Sequence, residues 1–245
     1  MSRLLKTGVV ALVALDVTVI GWLALGAQLS AGTNAARVVV GETIPTRGEE
    51  STSTASQPRV LFVGDSFPAG SGAATKEEAA SCLAASAMGW TCHLDAQPGT
   101  GFVADGRAND PTSAALIDRL PRTRDISGVV DVVIVDAGRN DRGFADDQLK
   151  SAITAYLGGV RNLWPESELV VIEPYFLDSV APLFRAPVLD HLEDETKRLG
   201  GHLIRPQQEG WINPVAENRN LDAAAHQRIG QRLAGELRGL GLDKL

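Results

Sequence analysis

Short apolar runs alternate with longer amphipathic stretches from residue 59 to the end of the chain. Val60-Leu-Phe-Val63 is apolar, β-branched and aromatic, and reads as a buried strand that stops at Gly64. Thr75-Lys-Glu-Glu78 has the form of a capping box, and the Ala-rich run to about Met88 is the helix it predicts. Thr91 to Leu94 is a second strand, followed by the glycine-rich loop Asp95-Ala-Gln-Pro-Gly-Thr-Gly-Phe102. A short amphipathic segment covers Ser113 to Leu120. Val129 to Val135, β-branched except at Asp131, is the clearest buried strand and runs into Asp136-Ala-Gly-Arg-Asn-Asp141. Leu149, Ile153, Tyr156, Leu157 and Val160 keep helical spacing up to Trp164-Pro165. Leu169 to Ile172 is a fourth strand, Val188 to Leu199 a helix stopped by Gly200-Gly201, and His202 to Ile204 a short fifth strand. A polar loop with Trp211 then leads to a last helix carrying Ile229, Leu233, Leu237 and Leu240 on one face. Trp211 either lines a groove or pins that loop.

Strands and helices alternating at this spacing predict one α/β domain over residues 59–245, a parallel sheet covered by helices on both faces. The glycine-bearing turns after the first three strands then gather on one sheet edge, the edge where open α/β folds bind ligands.

The first 58 residues differ. Residues 1–7 are basic, with Arg3 and Lys6, and residues 8–27 are apolar apart from Asp16. That length is about right for a bilayer, which takes roughly 20 residues, and Asp16 costs about 2.5–3.5 kcal/mol, which the surrounding Leu, Ile and Val offset. The segment reads as an uncleaved transmembrane anchor or as a signal peptide, and both put the rest of the chain outside the cytoplasmic membrane. Residues 28–58 are small and polar apart from Val38-Val-Val40, the composition of a flexible linker.

Hydrophobic content of 44% with 22% charged residues is ordinary for a folded protein. The net charge of −7, with no basic cluster in the folded part, argues against nucleic acid. Cys82 and Cys92 are too few for a zinc site. In an exported chain they form one disulfide closing a short loop; otherwise they are small buried hydrophobes.

The chemistry-bearing residues cluster at the strand ends. Ser66 offers a hydroxyl, Gly99 or Gly101 an unobstructed backbone N–H, and Asn140 a side-chain amide. A hydroxyl flanked by two donors suits acyl transfer, with a nucleophile and an oxyanion hole. Gly64-Asp65-Ser66 with Gly70, the glycine loop near Gly99, and Gly138-Arg-Asn-Asp141 resemble the first three sequence blocks of the SGNH (GDSL-type) hydrolases. The resemblance implies a flavodoxin-like three-layer α/β/α sandwich and a serine esterase or acylhydrolase without metal or organic cofactor. It assigns Ser66 as nucleophile, and its own N–H, a glycine and Asn140 as the oxyanion hole.

The fourth block of that family is Asp-x-x-His before the last helix, and here the chain departs from it. In one register Asp222 and His226 are acid and base, spaced one residue wider than in the family. In the other, Ala225-His226 matches a small-His pair at the start of the helix, and the catalytic positions fall on Glu217 and Asn220. Asp222 before three alanines is a good N-cap, which draws His226 into the helix. Asn220 cannot serve as a general base, and without one turnover falls by several orders of magnitude. Asp141 reads as a group holding its loop, His93 as packing and His191 as a solvated helix residue. The functional expectation is hydrolysis or transfer of a small ester, such as an acetyl group on a cell-envelope glycan or lipid. The alternative is an impaired relative that binds a glycan or protein partner in the same cleft.

Overall fold

The computed structural model describes residues 57–177, 182–211 and 221–245. The expected anchor and linker, apart from Gln57 and Pro58, lie outside the described residues, as do Glu217 and Asn220. Five strands, β1 (Arg59–Gly64), β2 (Thr91–Ala96), β3 (Val132–Asp136), β4 (Glu168–Ile172) and β5 (His202–Ile204), form one sheet in the order β2-β1-β3-β4-β5. Every pairing is parallel. Five helices connect and follow them: α1 (Ala80–Met88), α2 (Leu116–Ser127), α3 (Asp146–Leu163), α4 (Ala186–Arg198) and α5 (Ala223–Gly239).

Alternation along the strands divides the core into two layers. Val60, Phe62, Val132, Ile134, Val170 and Ile172 face α1 and α5. Their neighbours Leu61, Val63, Val133, Val135, Leu169 and Val171 face α2, α3 and α4. Strands that bury both faces need apolar residues at every position, which is why β1 and β3 read as continuous hydrophobic runs. The architecture is the expected flavodoxin-like three-layer sandwich. The chain leaves β1 for β2 on one side and returns to β3 on the other, so the switch point of the sheet lies between β1 and β3.

Several element boundaries differ from the sequence reading: α2 runs Leu116–Ser127 rather than Ser113 to Leu120, and β2 extends to Ala96. β3 begins at Val132; Val129 is solvent-exposed, and the carboxylate of Asp131 accepts from the backbone N–H of Arg59 (2.7 Å). The capping box Thr75–Glu78 starts no helix. Those residues form turns, with Glu78 N–H donating to the Thr75 carbonyl, and α1 begins at Ala80. Ala79, its N-cap, has no side-chain acceptor, and the acceptor comes instead from α5: Nδ1 of His226 takes the Ala80 N–H at 3.0 Å. A local cap signal loses to a distant imidazole because the orphan N–H groups of a buried helix end need any acceptor within reach.

Cys82 on α1 and Cys92 on β2 are joined in a disulfide with Cα atoms 5.4 Å apart. Among the described residues no helix is long and apolar enough to cross a membrane.

Candidate active site

The loops leaving β1, β2 and β3 carry the three groups singled out in the sequence. Ser66 is half-buried in the turn directly after β1. That turn is closed by Ala69 N–H on the Asp65 carbonyl (3.2 Å), Gly70 N–H on Phe67 (3.0 Å) and Ser71 N–H on Ser66 (2.9 Å). Gly72, at φ +95°, brings the turn against the chain before α5, where a Cβ would meet the Leu221 carbonyl oxygen at 1.8 Å. Only glycine permits both that φ and that approach.

Asp65, the residue before Ser66, is fully buried. Its Oδ1 accepts from Phe67 N–H (3.1 Å) and from Arg139 Nε (2.9 Å) and Nη2 (2.7 Å). Arg139, equally buried, pairs through Nη1 with Asp136 (2.7 Å) and lies 4.2 Å over the Phe67 ring. Burial pushes the Asp65 carboxyl up to about 6, and Asp136 adds to this while Arg139 and the Phe67 N–H oppose it. One guanidinium thus joins the end of β1 to the end of β3.

Asn140 follows directly. Its Nδ2 donates to the Thr100 carbonyl at 2.9 Å, which ties the β3 loop to the glycine loop after β2. Asp141 completes the tie: its buried carboxylate accepts the N–H groups of Phe102 (2.8 Å), Val103 (3.1 Å) and Ala104 (2.8 Å). Burial nevertheless holds its carboxyl above the usual range. Gly101 leaves room for that carboxylate, since a Cβ there would meet Asp141 Oδ2 at 2.3 Å. The N–H of Gly101 donates to the Ala104 carbonyl (2.9 Å).

Beneath the glycine loop a second buried arginine closes the other seam. Arg119 on α2 donates to the carbonyls of Gly64 (2.7 Å) and Asp95 (3.2 Å) and to Thr100 Oγ1 (3.3 Å). Asp95 lies beside it and also accepts from Thr123. Neither Arg119 nor Arg139 was singled out from sequence, because an isolated arginine carries no sign of a partner 55 or 74 residues away.

Both residues of the Asp222–His226 register have structural partners in the first turn of α5. Asp222 is the N-cap of α5, its carboxylate accepting Ala225 N–H at 2.7 Å. His226 lies in the first turn with no solvent exposure. Because Nδ1 accepts from Ala80, the ring proton sits on Nε2 and points at the Ser71 carbonyl, 3.2 Å away. Both nitrogens are occupied, and burial holds the imidazole below its ordinary value of 6.5, hence neutral. His226 fastens the Ser66 turn and α1 to α5 through these two contacts. The other three histidines lie elsewhere: His93 meets Arg59, His191 meets Thr154 on the surface, and His202 faces Glu168 at the far edge strand.

No protein family model and no curated protein matches the sequence. Solved structures do. The chain is similar to a carbohydrate acetylesterase from Sinorhizobium meliloti at 15% identity and TM-score 0.60, over 75% of this chain and 100% of that one. It is similar to a family two carbohydrate esterase from Clostridium thermocellum, solved with cellohexaose, at 18% identity and TM-score 0.60, over 75% of this chain and 65% of the other. A family two carbohydrate esterase of Corynascus thermopiles, with its carbohydrate binding domain, matches at 19% identity and TM-score 0.59, over 78% and 68%. The fold is the SGNH-hydrolase fold. On this SGNH scaffold, Gly64-Asp-Ser66 and Gly138-Arg-Asn-Asp141 occupy adjacent strand ends across the sheet's switch point. Among the described residues no cluster of His, Cys, Asp and Glu is arranged to hold a metal ion.

Proposed function

We propose that this domain is an extracytoplasmic serine esterase acting on a small ester, an acyl group on a cell-envelope glycan or lipid, through an acyl-enzyme at Ser66. The observation that carries the reading is the arrangement of the β1, β2 and β3 loops, in which Asn140, pinned to Thr100, adjoins the Gly99 loop. The Ser66 Oγ attacks the ester carbonyl carbon. The carbonyl oxygen becomes an oxyanion held by the N–H groups of Ser66 and Gly99 and by the second N–H of the Asn140 amide, whose first is spent on Thr100. Collapse breaks the bond to the alkoxide, which leaves as the alcohol with the proton given up by the Ser66 hydroxyl, and Ser66 is left acylated; water then adds its OH to the acyl carbon, releasing the acid, and its other hydrogen restores the hydroxyl. The Cys82–Cys92 disulfide supports a location outside the reducing cytoplasm, with residues 8–27 as anchor or export signal.

The occupied ring of His226 favours a second reading, in which the cleft binds an acylated glycan or a protein partner with little turnover. Turnover of p-nitrophenyl acetate separates the two. For the esterase, Ser66→Ala lowers the rate at least 100-fold, and His226→Gln changes the rate per folded molecule by less than tenfold. An inert wild type that gains turnover on Asn220→His establishes the binding reading instead.

A further inference from the structure

A cleft of about 520 Å³ opens beside Gly99 and Asn140, and its lining is unlike that of the other hollows near the site. Its polar groups are the carboxamides of Asn109, Asn140 and Gln148 and the carboxylate of Asp105, with Phe144 as an apolar wall. Asp105 is the one ionisable residue of the lining, and its exposed carboxylate pairs with Arg107 at 3.7 Å. The Asn109 amide lies so close to Gly99 that a Cβ on the glycine would meet its Nδ2 at 2.0 Å. Asn109 and Asn140 therefore stand beside the same glycine loop. Carboxamides present donors and acceptors together without charge, which matches sugar hydroxyls.

The alternative occupant, a long acyl chain, finds no room nearby among the described residues. The apolar hollow behind the Ser66 turn, lined by Phe67, Pro68, Tyr175 and Trp211, holds only about 10 Å³, the space of one water. The larger apolar groove, lined by Val129, Val130 and Trp164, lies at the opposite edge of the sheet, before β3 begins.

We propose that the cleft beside Asn140 is the subsite for the alcohol half of the substrate, that this half is an uncharged glycan, and that the acyl group is short. The inference depends on the ester-site reading for its place beside Ser66 and decides between the glycan and lipid substrates that reading admits. Asn109 and Gln148 grip the sugar hydroxyls, and Phe144 supplies the apolar surface under a pyranose ring.

The test is ligand-observed NMR with Ser66→Ala protein, using an acetylated xylotetraose and, separately, a micellar palmitoyl ester. Millimolar or tighter binding of the acetylated oligosaccharide is expected, weakened at least tenfold in Ser66→Ala with Asn109→Leu and Gln148→Leu. Both added substitutions lie on the exposed rim, and an unchanged melting temperature checks folding. No binding of the oligosaccharide, equal binding by the triple variant, or preference for the palmitoyl ester overturns the proposal. Fluorophosphonate labelling of the wild type reports on the parent reading separately. Labelled Ser66 without glycan binding refutes this inference alone, and glycan binding without labelling refutes the esterase alone.

Discussion

Two buried arginines and one buried histidine hold the residues around Ser66, and each carries a measurable consequence. Arg139 neutralises Asp65 and Asp136 where neither carboxylate reaches water freely. Removing one partner from a buried ion network leaves uncompensated charge, so Arg139→Met is expected to cost about 3–5 kcal/mol in urea unfolding. His226 gives a pH signature. Its folded-state affinity for protons lies below the ordinary 6.5, so below that pH the unfolded chain binds a proton that the folded one refuses. Stability from this group is complete above pH 6.5 and is lost as pH falls. Asp65 has the opposite sign: raised from 3.8 to about 6, it lowers stability as pH rises through that window. Urea midpoints from pH 5 to 7.5 for wild type minus His226→Gln isolate the histidine, and the difference is expected to grow with pH. At this scale the strand-end positions of Ser66 and Asn140 were legible in the sequence because each stands in a short block after an apolar run. The ion pairs were not, since residues 65 and 139 share no periodicity and meet only through the β1–β3 pairing.

At the scale of elements, the central strands β1, β3 and β4 were legible because burial on both faces demands unbroken apolar runs, and the short edge strands β2 and β5 by their place between helical stretches. Helix starts were less so. Thr75–Glu78 has the residues of a cap, yet the Ser66 turn and α5 hold the chain so that α1 opens at Ala80 on an imidazole 146 residues away. Tertiary contacts override such signals because a cap is worth only about 1 kcal/mol. The loop-to-loop staple at Asp141 is stronger. Asp141→Ala leaves three N–H groups of residues 102–104 without their acceptor and is expected to destabilise the domain by about 1–3 kcal/mol. Gly101→Ala, which forces a Cβ into the same carboxylate, is expected to lower stability by a similar amount, read by the same urea titration.

For the whole molecule, the parallel pairing and the layering followed from the alternation of strands and helices, and the glycine turns fell on one edge as parallel connections require. The disulfide is the one covalent tie between the α1–α5 layer and the sheet. Closing a loop of this length is worth about 2–3 kcal/mol in the chain-entropy account, so reduction is expected to lower the urea midpoint by that equivalent without abolishing the fold. What the sequence left open was the chemical state of the site, because His226 has the same spacing whether it serves a nucleophile or a helix end. Ser66, the proposed nucleophile, is therefore the deciding residue. Peptide mass mapping after treatment with a fluorophosphonate measures it directly. Modification of Ser66, absent from Ser66→Ala and retained in His226→Gln, is the expected result. An unmodified Ser66, or modification only at other residues, contradicts an ester-cleaving site at the end of β1.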